Sequence, residues 1–61
     1  MTIKVIDLPR LGALGYVWVE TFNDKESAMI HAKAMNEKGR EVIVRKVAQR
    51  GDMESWEVWV R

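Results

Sequence analysis

The chain has no cysteine, one histidine and one proline in 61 residues. Without cysteine it forms no disulfide and no thiolate metal site, and His31 alone cannot build a metal centre. A domain this short buries only about 60% of the surface its unfolded chain exposes. Small scaffolds compensate with disulfides, a metal, self-association or a tidy core, and here the last two remain. No apolar run approaches the roughly 18 residues of a membrane span. The opening MTIKVIDLPRLG has neither the n-region nor the h-region of a signal peptide, so a cytoplasmic location and no membrane partner are expected. Charge of one sign is also missing: ten basic residues face nine acidic ones, for a net charge of +1. Nucleic-acid-binding domains are commonly far more basic.

What is present is apolar and patterned. Hydrophobic residues make up 48% of the chain and include three Trp, which favours a folded domain over disorder. Thr2 to Leu8 (TIKVIDL) reads as a short strand that Pro9 ends, since proline donates to no ladder. Pro9 to Gly15 is a loop in which Gly12 and Gly15 permit positive φ. Its Leu11 and Leu14 are unusually apolar for a connection, and predict a lid or a contact with a partner. Tyr16 to Phe22 (YVWVETF) is a strand rich in aromatic and β-branched residues. Period two places Val17, Val19 and Thr21 on one face and Tyr16, Trp18 and Glu20 on the other.

A helix follows, with Asn23 as N-cap, Glu26 closing a capping box and Gly39 as C′. At about 100° per residue, Ala28, His31, Ala32 and Met35 share one arc. Ile30 and Ala34 lie between this arc and the charged side, where they are either plain surface or a second interface. Glu41 to Val47 and Ser55 to Val60 are two more strands, joined by a hairpin turn at Gly51-Asp52. The order β-β-α-β-β predicts one α+β domain over residues 1–61: an antiparallel sheet of about four strands with one helix packed on one face. The expected core is Val17, Val19, Ala28, Ala32, Met35, Val42, Val44, Trp56, Val58 and Val60.

The run from YVWVETF through NDKESAMIHAKAMNEKG to EVIVRKV resembles the SPOR domain, a peptidoglycan-binding module of bacterial division proteins. Tyr16, Val17, Val19 and Phe22 match its first strand, and Ala28, Ala32, Met35 and Gly39 match its helix. Trp56, Val58 and Val60 stand where its last strand would be. The resemblance covers Tyr16 to Arg61 and implies a sheet that binds glycan strands. Trp18 stands at a position the family commonly fills with Gln, Glu20 at one usually Gly, and His31 at one usually Leu. The arrangement is also similar to small phage-encoded proteins that bind and inhibit host enzymes.

Five features are candidates for chemistry. Tyr16, Trp18, Arg45, Trp59 and Arg61 form the candidate partner-binding face. Aromatics interleaved with Arg anchor protein partners, stack bases or stack sugars. The balanced charge puts a protein partner first, with a homodimer beside it, and nucleic acid and glycan behind. Leu11, Leu14, Ile30 and Ala34 are a second candidate interface. The basic run Arg40 to Arg50 divides between two strand faces and reads as a solvated edge, and Arg50-Gly51-Asp52 reads as a turn rather than a receptor signal. His31 with Ser27 one turn earlier lacks an orienting acid and an oxyanion hole, so it reads as a packed histidine. With no phosphate loop, paired-His motif or calcium loop, the expectation is a binding protein that is not an enzyme and uses no cofactor or metal.

Overall fold

The strand rich in β-branched and aromatic residues, the capped helix and the apolar hairpin all form where their sequences direct. The computed structural model describes residues 3–7, 10–51 and 53–61, leaving aside the side chains of 48–50. Thr2, Leu8, Pro9 and Asp52, on which parts of the strand, loop and turn expectations rest, lie outside the described residues. The elements are β1 (Ile3–Val5), a 3₁₀ turn (Gly12–Leu14), β2 (Val17–Phe22), α1 (Lys25–Glu37), β3 (Val42–Arg50) and β4 (Met53–Val60).

The sheet order is β1-β3-β4-β2. β4 runs antiparallel to β3 and to β2, while β1 runs parallel to β3. The sheet is therefore mixed, which corrects the expectation of an antiparallel one. The cause is the connection 6–16. It crosses from one edge of the sheet to the other, and two strands joined across a sheet in this way can run parallel. α1 makes the return crossing, from β2 to β3, on the other face. The two crossings travel in opposite directions on opposite faces, so they share one hand.

The core lies between α1 and the sheet. Ala28 and Ala32, one turn apart, are fully buried against Val42, Val44, Trp56, Val58 and Val60. Their small side chains let the helix axis approach the sheet closely. Ile3, Val19, Phe22, Met29 and Met35 pack around this centre. His31 is half-buried, with its ring 5.4 Å from that of Phe22.

Asp24, not Asn23, caps the helix. Its Oδ1 accepts from the Ser27 N–H at 2.7 Å and its Oδ2 accepts from the Ser27 hydroxyl at 3.0 Å. A carboxylate at this position also meets the positive end of the helix dipole, an advantage that asparagine lacks. Ser27 therefore donates twice to the cap in place of a capping box, and Glu26 only contributes charge to the first turn. Gly39 ends the helix at φ 87° as C′. Gly15 takes φ 91°, whereas the left-handed residue earlier in the loop is Arg10 at φ 61° rather than Gly12.

Two β-bulges set which side chains face the core. In β2 the register shifts between Trp18 and Glu20, and the extra residue turns the chain by one side chain. Val19 and Phe22, three apart, consequently share the helix-facing core, and Thr21 moves to the opposite face. Strict alternation would have buried Thr21 and exposed Phe22. Val17 is also corrected. It pairs with Val60, but at the outer end of an edge strand it stays 61% exposed.

In β3 the register shifts between Lys46 and Ala48. Both hairpin strands run further than expected, with Arg50 opposite Met53. Gly51, next to the paired Arg50, takes a positive φ of 59°.

Candidate binding face

The face opposite α1 carries all five of the predicted partner-binding residues, but in unequal states. The crossing connection lays Leu11 onto it. Leu11 is 1% exposed and packs with Tyr16, Ile43 and Trp59 into a second, smaller core. Tyr16 is buried beneath this lid, so it presents no open ring. Trp59 is half-covered, and its Nε1 donates to Glu57 Oε1 at 3.0 Å.

Arg45 sits opposite Glu57 in the ladder, and its Nη2 donates to Glu57 Oε1 at 2.6 Å. Its guanidinium also lies 5.6 Å from the Trp59 ring centre. The bulge produces this pairing. Counted back from the turn without one, Lys46 would meet Glu57 and Arg45 would meet Val58. With it, Lys46 faces Trp56, with its ammonium 5.8 Å from that ring.

Arg61 closes the other end of the face. Its Nε donates to Glu41 Oε2 at 3.1 Å, Nη2 donates to the same oxygen, and Nη1 donates to the Leu14 carbonyl at 3.2 Å. The guanidinium carbon is 4.8 Å from the centre of the Tyr16 ring. The Tyr16 hydroxyl donates to Glu41 Oε2 at 3.4 Å. These contacts latch the lid to the sheet. The hydrogen bonds and charge of Arg61, helped by Tyr16 and Lys4, hold the Glu41 carboxyl below the usual carboxylate range.

Trp18 is the large residue of the face left open. It is 50% exposed and lies across the ladder from Trp59. Its Nε1 donates to Thr21 Oγ1 at 3.2 Å. Residues three apart in a regular strand point to opposite faces, so this bond exists because of the bulge between them.

The second candidate set is not brought together. Leu11 is buried, Leu14 is exposed on the lid, and Ile30 (66% exposed) and Ala34 lie on α1 across the sheet. Sequence reasoning missed Glu41 and Glu57, the acids that engage both arginines. Only the bulged register reveals the second of them. Ser27 spends its hydroxyl on the helix cap. Among the described residues, no group of three His, Cys, Asp or Glu could hold a metal ion, and no helix is long and apolar enough to cross a membrane. No protein-family model, curated protein or solved structure matches the chain.

Proposed function

We propose that this chain is a non-enzymatic interaction module that docks on a larger protein, as a regulator or inhibitor, through Trp18 and the sheet face around it. The observation that carries the reading is Trp18 itself: a half-exposed ring whose orientation is fixed by Thr21 and by the neighbouring strand. A Trp already held in one geometry loses little freedom on docking, and Trp residues rank among the strongest anchors of protein interfaces.

Electrostatics favour a protein over nucleic acid. Arg45 and Arg61, the cations that would meet phosphates, are each bound to a carboxylate of the chain. The docking uses side chains rather than an added strand. β2 is an edge strand, but its bulge and Glu20 are features that block strand pairing.

Affinity capture from a host lysate with the intact chain and with Trp18→Ala tests the proposal. Trp18→Ala should lose the captured protein while its circular dichroism stays that of the parent. Equal capture by the two would overturn it. Sedimentation of the free chain separates a homodimer from a heterologous complex. Quenching of Trp emission by an oligonucleotide, or by glycan strands, would transfer the face to those ligands instead.

A further inference from the structure

A concave site that Trp18 does not line, but that shares Tyr16 and Arg61 with the candidate face, lies where β3 begins. It encloses about 420 Å³ and is lined by Lys4, Tyr16, Asn36, Arg40, Glu41 and Arg61, with Gly39 and Val42 at its wall. Three cations meet one carboxylate there, in a chain whose net charge is only +1. The Glu41 side chain is largely exposed, its Oε2 receives Arg61 and Tyr16, and Lys4 also acts on its charge. Among the described residues neither Lys4 nor Arg40 is in a salt bridge. The Arg40 main chain is anchored by the Asn36 side-chain amide, which donates to its carbonyl at 3.0 Å.

We propose that this cavity binds the phosphate group of a small phosphorylated polyol or sugar. Lys4, on β1, and Arg40, on the connection between α1 and β3, both line the cavity, and two cations suit a compact dianion better than a single carboxylate. The volume falls in the range of small-ligand sites, about 300–1,000 Å³, and exceeds what a bare phosphate fills. Two acceptors are left for hydroxyls, since Asn36 Oδ1 and Glu41 Oε1 receive no hydrogen bond among the described residues. A nucleotide base is disfavoured, because Arg61 already covers the one aromatic ring in the lining. The helix C-terminus presents its negative dipole end near the site, and part of it is met within the chain. Its carbonyls at Met35 and Asn36 already accept from the N–H groups of Lys38 and Gly39.

The test is a titration followed by amide NMR, with inorganic phosphate, glycerol 3-phosphate and glucose 6-phosphate as probes and sodium chloride at matched ionic strength as control. The phosphates should give saturable shifts centred on Lys4, Gly39, Arg40 and Glu41, with the phosphorylated polyols binding more tightly than inorganic phosphate. Lys4→Gln with Arg40→Gln, both at exposed positions, should weaken binding at least about tenfold, the scale of one charge-assisted hydrogen bond. Lys38→Gln, a cation at the same helix end outside the lining, should leave it unchanged. Shifts reproduced by chloride, full binding by the double variant, or equal loss in Lys38→Gln would overturn the site. Polyol phosphates no tighter than phosphate would overturn its ligand class. Trp18→Ala should bind phosphate normally, so failure of either reading is distinguishable from failure of the other.

Discussion

Replacing Leu11 by alanine asks how much of the domain depends on its lid. Leu11 is 1% exposed and caged by Tyr16, Ile43 and Trp59. Buried Leu→Ala substitutions cost about 2–5 kcal/mol, transfer and cavity terms together. Leu11 sits on a connection that can settle inward, so the lower end applies, about 2–3 kcal/mol. At about 0.05–0.15 kcal/mol per residue, a chain of 61 residues has a total stability of roughly 3–9 kcal/mol. The substitution should thus remove about a fifth or more of it, and lower Tm by roughly 8–24 °C at about 4–8 °C per kcal/mol for domains of this size. Urea unfolding, followed by circular dichroism and by Trp emission, measures the loss. Acrylamide quenching of the folded variant should rise as Trp59 becomes accessible. Leu14→Ala is the internal control. It removes a neighbouring leucine that is 49% exposed, and should cost under about 1 kcal/mol. If Leu11→Ala costs no more than Leu14→Ala, the lid contributes no core and the reasoning fails.

Asp24→Ala should destabilise the domain by about 1 kcal/mol through the lost cap, while Asn23→Ala should change little; thermal melts of the pair decide between the two caps. Glu41 has a lowered folded pKa because of Arg61. Its stabilising contribution is complete above the ordinary glutamate pKa of about 4.3 and is lost as pH falls through the lower folded value. Glu41→Gln should therefore flatten the acid limb of the curve of stability against pH, which denaturation at a series of pH values reads directly. Trp18→Ala should leave Tm nearly unaltered, whereas Trp59→Ala should lower it clearly, because Trp59 packs against the lid cluster. Equal melting losses for the two would mean that Trp18 is structural.

The helix arc and the Val-rich hairpin were legible because single residues there obey one period. Ala28, Ala32, Val42, Val44, Val58 and Val60 are all buried. Where the period breaks, alternation gives the wrong answer. No residue of YVWVETF announces a bulge, yet the bulge decides that Phe22 rather than Thr21 joins the core, and that Trp18 bonds Thr21. The bulge in β3 likewise decides that Arg45 meets Glu57. The five residues of the candidate face do lie on one side of the sheet, but their freedom was not legible. Tyr16 is covered by Leu11 on the loop just before it, and the two arginines are engaged by Glu41 and Glu57, which are distant from them in the chain. The direction of β1 was hidden for a related reason. It depends on which way a long connection crosses the sheet, and apolar Leu11 was its one trace.

The sheet order has a consequence in time. β4 is the last of the four strands to be synthesised, yet it lies inside the sheet, between β3 and β2. Until it emerges from the ribosome, β2 has no neighbour with which to form its ladder, and α1 has only part of a surface to cover. The N-terminal half of the chain therefore has no completed sheet to pack against until the C-terminal hairpin supplies its centre.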